Sequence, residues 1–226
     1  DVCLPIYRLL KNPSKSHRPP MSSHYLALSG NKSAEVPHPH LAVNTDLSDS
    51  IRNKLQAIYP YQQLFVLCPG AEYGPAKQWP TEHFAKIAEL IVTQHPDSLI
   101  LILGSKKEAA LGEQIKQLSQ HSHQVLNWCG ETSLDEAIAS ISVADAVISN
   151  DSGLMHIAAA LGRPQVAIFG SSDPRHTPPL SSKATIHWLH LECSPCFKRN
   201  CPLGHTKCLM DISPKDILNS LSTTTQ

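Results

Sequence analysis

From Leu64 onward, short unbroken apolar runs alternate with longer segments whose apolar positions recur every three or four residues, the pattern of a parallel α/β sheet. The runs predict strands over 64–68, 98–103, 125–128, 146–149 and 165–169, with a sixth over 185–190. Between them, Phe84, Ile87, Ala88 and Ile91 fall at i, i+3, i+4 and i+7 of a helix for which Thr81 is the expected N-cap. Leu111, Ile115 and Leu118 mark a second helical face. Leu134, Ile138 and Ile141 mark a third, opened by Ser133 and Glu136 in the spacing of a capping box. A short helix over 154–161 ends at Gly162 and Pro164, and Ser213-Pro214 has the form of an N-cap and first residue of a terminal helix.

Residues 1–63 read differently. They are rich in Pro, Ser, His and Asn, and their one helical signal lies over 49–58, where Ile51, Leu55 and Ile58 share a face. The expected organisation is a linker and packing arm over 1–63, then a Rossmann-like domain over 64–226 that carries a cysteine-rich module at 193–208.

Composition narrows the classes. A chain of 226 residues with 41% hydrophobic content can bury one full-sized core. Nineteen basic side chains balance nineteen acidic ones, so no net field favours nucleic acid. No apolar run reaches the ~18 residues of a spanning helix, and the opening DVCLPIYRLLKNPSKSHRPP lacks a signal-peptide core, so a soluble cytoplasmic protein is expected. Position 1 is Asp, which suggests a chain entered partway through a longer one. Of seven cysteines, Cys3, Cys68 and Cys129 are scattered, a usage that fits free thiols in a reducing compartment.

Ligands of an open parallel sheet bind outside the carboxyl ends of its strands, so the loops there hold the candidate chemistry. They read PGAEYGPAKQWP, GSKKE, CGETS, NDSGLMH and GSSDPRHTPP. NDSGLMH runs straight into a helix, which puts the backbone N–H groups of Ser152, Gly153 and Leu154 at a positive helix end suited to phosphate; alternatively it is only a helix-starting turn. Asp151 repels a diphosphate, so it either caps that helix or holds sugar hydroxyls. Lys77 is a candidate cation for a diphosphate leaving group, with a solvated surface lysine as the bland reading. Glu108 suits ribose hydroxyls or, equally, a helix dipole. His156 either reaches a sugar or packs. The G-x-G-x-x-G, Walker and G-x-S-x-G patterns are absent.

Taken together, CPGAEYGPAKQWPTEHFAKIAELI, ILGSKKE and the stretch from GETSLDEAIAS to DPRHTPPL resemble glycosyltransferase family nine over roughly residues 20–221. Within it, PGAEYGPAKQWP and TPPL look most like the branch that adds the second heptose of the lipopolysaccharide inner core. The resemblance implies a GT-B architecture of two Rossmann-like domains, this chain matching the second, with 1–63 a remnant of the acceptor side. It implies inverting transfer of L-glycero-D-manno-heptose from ADP-heptose, with no cofactor and no catalytic metal.

By the same resemblance, Lys77 and Asp151 are the catalytic candidates, and Asp151, Ser152, Gly153 and His156 match the family's D-[ST]-G-x-x-H element. Glu72, Tyr73, Lys77, Glu108 and Thr132 join them as donor-binding residues. The family's general base, an Asp in a Gly-rich loop of the first domain, has no counterpart in this sequence. The implied partners are ADP-heptose, a lipopolysaccharide core acceptor reached through the other domain, and the cytoplasmic face of the inner membrane of a Gram-negative bacterium. Cys193, Cys196, Cys201 and Cys208 stand apart: four thiols within sixteen residues suit structural zinc, or are free thiols of a surface loop. Two rival readings stay open, a family member with another acceptor and a non-catalytic nucleotide-binding or zinc-module fragment.

Overall fold

The computed structural model describes residues 20–28, 30 and 35–224; Cys3 lies outside them. Contacts divide the chain into two units. The smaller joins residues up to Pro37 with Pro174–Pro178 and holds helix α1 (Met21–Leu28), where the Met21 N–H donates to the His176 carbonyl at 2.8 Å. The sequence pattern missed α1 because MSSHYLAL has no apolar face of helical period, and no residue of this helix is buried.

The larger unit runs from His38 to Asp173 and resumes at Pro179. Its elements are α2 (Thr45–Ile58), β1 (Gln63–Cys68), α3 (Thr81–Gln94), β2 (Ser98–Ile102), α4 (Ala109–Leu118), β3 (Val125–Asn127), α5 (Leu134–Ser142), β4 (Ala146–Asn150), α6 (Gly153–Ala160), β5 (Gln165–Ile168), β6 (Ala184–His187), α7 (Lys207–Met210) and α8 (Pro214–Thr224). All six strands are parallel, in the order β3-β2-β1-β4-β5-β6. This is the α/β doubly wound sheet that the apolar runs predict. The strands read as continuous apolar runs because helices cover both faces. Phe65 and Leu67 pack with α3, α4 and α8, while Leu64, Val66 and Cys68 pack with α2, α5 and α6.

Several local expectations need correction. Thr81 is the first helical residue of α3, and Pro80 holds the N-cap without a side-chain bond. Pro80 is what displaces it: proline tolerates the extended φ/ψ just before a helix, and its carbonyl accepts from the His83 and Phe84 N–H groups. Leu118 is 54% and Ile58 50% exposed, each the last residue of its helix. Leu134 is 65% exposed and Ile138 only half-buried, because the buried side chains of α5 are instead Ala137, Ala139, Ser140 and Ile141. The capping box of Ser133 and Glu136 forms as expected.

One buried amide joins the two central strands beyond their ends. The Asn150 Nδ2 donates to the Pro69 carbonyl at 2.7 Å, and its Oδ1 accepts from the Trp79 N–H at 3.1 Å. Trp79 is 2% exposed, and its Nε1 donates to the Ile212 carbonyl at 3.1 Å. Both ends of the loop between β1 and α3 are thereby fixed to the end of β4. Replacing Asn150 by Ala strands a buried carbonyl and a buried N–H, so the unfolding free energy should fall by about 2–4 kcal/mol. Urea denaturation of wild type and Asn150→Ala checks this; a loss under about 1 kcal/mol means water replaces the amide.

Candidate functional site

The strand order reverses direction between β1 and β4, and outside their carboxyl ends lies a cavity of about 590 Å³. Four loops line it. The loop after β1 contributes Gly70, Glu72, Tyr73 and Lys77; that after β2, Leu103, Gly104, Ser105 and Glu108; that after β3, Thr132 to Leu134; and that after β4, Asp151 to Leu154 with His156. All nine sequence-predicted residues, Glu72, Tyr73, Lys77, Glu108, Thr132, Asp151, Ser152, Gly153 and His156, therefore border one space. The fifth loop does not line it. From the start of GSSDPRHTPP, Ser172 reaches the site through its hydrogen bond to Asp151.

Lys77 is the best-anchored cation of the cavity. Its Nζ donates to Asp151 Oδ2 at 2.5 Å, and the Ser172 hydroxyl donates to the same oxygen at 2.5 Å. Asp151 is 7% and Ser172 6% exposed, so this pairing is shielded from solvent screening. Lys77 also lies 5.2 Å from the centre of the Tyr73 ring. Asp151 thus orients the ammonium and does not cap α6; that is the structural reason it can sit beside a site suited to anions. Ser172 was invisible to sequence reasoning because only the fold brings the end of β5 beside the end of β4.

Ser152 holds the N-cap position of α6 without a capping bond from its side chain; its hydroxyl lies 3.2 Å from that of Ser149. Gly153 follows, and a Cβ placed on it would meet no atom within 4 Å. Protein packing therefore gives no reason for glycine there, whereas a ligand at the helix end would. Gly70 and Gly104 differ. A Cβ on either would collide with the Glu108 carboxylate, so the two glycines form the slot that holds it, and Ser105 N–H donates to Glu108 Oε2 at 2.6 Å. Glu108 completes a capping box with Ser105 while its carboxylate borders the cavity. Leu134, Ala137 and Ile157 supply an apolar wall that the sequence pattern assigned, for Leu134, to the core.

Titration properties follow from burial. Burial lowers the His156 pKa from the ordinary histidine range; Asp151 pulls it up and Lys77 pushes it down. Burial, with Cys129 and Glu108 nearby, raises Cys68, and burial with Glu108 raises Cys129 to about 12, which keeps both as inert thiols. In the cysteine-rich module the thiol of Cys201 is lowered, chiefly by the Thr206 backbone N–H. Cysteines 68, 129, 193, 196, 201 and 208 are all free, as the scattered usage suggested. Among the described residues no helix is long and apolar enough to cross a membrane.

Residues 7–207 match glycosyltransferase family 9 (heptosyltransferase). A lipooligosaccharide heptosyltransferase 2 of Haemophilus influenzae is 37% identical over 222 residues, covering 92% of this chain and 64% of that protein. A lipopolysaccharide heptosyltransferase 2 of Escherichia coli is 34% identical over 216 residues, covering 90% and 61%. The solved E. coli ADP-heptose lps heptosyltransferase II superposes with a TM-score of 0.78 at 33% identity, covering 92% of this chain and 62% of that one. A family 9 glycosyl transferase of Veillonella parvula, 18% identical with a TM-score of 0.74, shares the fold. The chain spans somewhat under two thirds of the length of these relatives.

The lowered His156 pKa carries a sign. Folding favours the neutral ring, so its contribution to stability is complete above the unfolded value of about 6.5 and is lost as pH falls through the folded value. Wild type should therefore lose more stability than His156→Asn between about pH 7 and pH 5. Denaturation at both pH values checks it; equal losses show that His156 titrates like a solvated histidine.

Proposed function

The chain belongs to glycosyltransferase family 9, the heptosyltransferases, and on that premise we propose that its cavity takes ADP-heptose for inverting transfer of L-glycero-D-manno-heptose to the lipopolysaccharide inner core, as the second heptose. The observation that carries this reading is the Lys77 ammonium, fixed by Asp151 beside the uncapped start of α6. Both features suit a diphosphate. The helix N-terminus offers backbone donors and a partial positive charge without any metal. Lys77 adds a full charge where negative charge accumulates as the glycosidic bond breaks, and a donor already oriented needs no rearrangement at that moment.

The other residues fall into place around that centre. Glu108, held in its glycine slot, accepts from ribose hydroxyls, and Leu134, Ala137 and Ile157 receive the adenine with Thr132 beside it. Glu72 and Tyr73 close the rim on the diphosphate side. His156, neutral at physiological pH, hydrogen-bonds the heptose. Asp151 is a poor general base, since one of its oxygens already accepts from Lys77 and Ser172. In this reading its catalytic part is to aim Lys77, and the acceptor hydroxyl and the base that activates it approach from a second domain, opposite the departing ADP. Action at the cytoplasmic face of the inner membrane belongs to the same proposal. The two rival readings separate at the bench: another acceptor changes only the product, while a silent nucleotide-binding fragment binds donor without supporting transfer in any context.

Calorimetric titration with ADP, ADP-heptose, UDP and NAD tests the donor assignment: the two adenosine diphosphate ligands should bind more tightly than the other two. Equal or absent binding across the four overturns it. In enzyme competent for transfer, Lys77→Ala should lower the single-turnover rate by ~10²-fold or more, the scale of one preorganised electrostatic group, with donor affinity falling less. A variant with the wild-type rate removes Lys77 from the chemistry.

A further inference from the structure

We propose that Cys193, Cys196, Cys201 and Cys208 form a tetrathiolate site for one soft divalent cation, and that the ion, once bound, braces the loop carrying Lys77. The proposal goes beyond donor binding and does not depend on which nucleotide sugar the cavity takes.

Four observations converge on it. All four cysteines line a single cavity of about 20 Å³, enough for one small ion and too small for an organic ligand. Every one of them is a free thiol, so none is committed to a disulfide. His205 lines the same cavity and adds an imidazole nitrogen to the four sulfurs. The module's backbone also passes through sparsely populated left-handed conformations at Phe197 (φ 54°) and Thr206 (φ 45°), which persist only where the surroundings over-determine them. Tetrahedral zinc on four thiolates is such a constraint.

Among the described residues, no three His, Cys, Asp or Glu side chains already stand at metal-ligating positions. The ion therefore has to draw the thiols inward; each thiol that becomes a ligand gives its proton to solvent as its sulfur–metal bond forms. That closure reaches the donor site because the module shares two hydrogen bonds with the loop after β1, one with the loop after β5, and a wall with both. The Tyr73 hydroxyl donates to the Phe197 carbonyl at 2.9 Å, the Ala76 N–H to the Arg199 carbonyl at 3.0 Å, and the Phe197 N–H to the Ser171 carbonyl at 2.7 Å. Ala76 and Ser171 themselves line the small cavity. They flank Lys77 and Ser172, the two donors to Asp151.

The test uses the purified full chain without nucleotide. Elemental analysis after Zn²⁺ loading and desalting should give about one zinc per chain, and Co²⁺ in its place should give the thiolate-to-metal absorption of a sulfur-rich site. Cys201→Ser should bind zinc at least ~10-fold more weakly. Hydrogen exchange, compared before and after chelation, should speed up roughly tenfold or more in residues 72–78 and 193–208, with strands β1 and β2 unchanged as an internal control for folding. A chain that takes up no zinc while its four thiols stay freely alkylatable overturns the metal site. Zinc uptake with unchanged exchange in residues 72–78 overturns the bracing of the Lys77 loop.

Discussion

The arrangement of this molecule depends on the carboxamide of Asn150. A loop as long as the one between β1 and α3 has many conformations, and closing it in one of them costs entropy that surface residues cannot repay. Asn150 fixes its two ends with a single side chain, donating to Pro69 and accepting from Trp79 in a site without solvent. Trp79 carries the constraint into the core through its contact with Ile212. What this loop gives the cavity, from Glu72 to Lys77, hangs between those two fixed points. Asp151, which pairs with Lys77, is the next residue along the chain from Asn150. Backbone clasp and charge partner are adjacent in sequence, so the loop and the charge it presents keep a common register.

Charge is then used economically in a neutral chain. A lysine next to a nearly buried carboxylate loses little to solvent screening, and Ser172 supplies the second donor that keeps the carboxylate from swinging away. The pair is oriented before any ligand arrives. His156 sits within the influence of both charges, yet burial outweighs them, and the ring stays neutral. The cavity therefore combines one positive centre, a helix start with free donors, a fixed carboxylate and an apolar wall, the mixture expected of a small-molecule site at a sheet's switch point.

The sheet was legible in the sequence because its strands are buried on both faces, so each one reads as an unbroken apolar run with turn residues at either end. The candidate residues were legible for a related reason: they follow strand ends directly, where short loops leave few positions to choose from. What escaped was set by tertiary contact. Ser172 lies far from Lys77 along the chain, and no local signal foretells that both donate to one oxygen. Leu134 has the spacing of a core residue, but α5 buries Ala137, Ala139, Ser140 and Ile141 and leaves the leucine at the cavity. Helix α1 has no apolar periodicity to detect. Thr81 looks like a cap by type, whereas the proline before it already supplies the geometry a cap must have.

Gly153 separates two pressures that usually act on a residue together. Its neighbours leave its surroundings open, and its backbone is not in the left-handed region that demands glycine. Folding is nearly indifferent to what stands there, in contrast to Gly70, where a methyl group would strike Glu108. Under selection for solubility alone, position 153 would drift while position 70 held. Any restraint on drift at 153 must come from outside the polypeptide, so the variability tolerated at that position measures how closely a bound molecule presses on the start of α6.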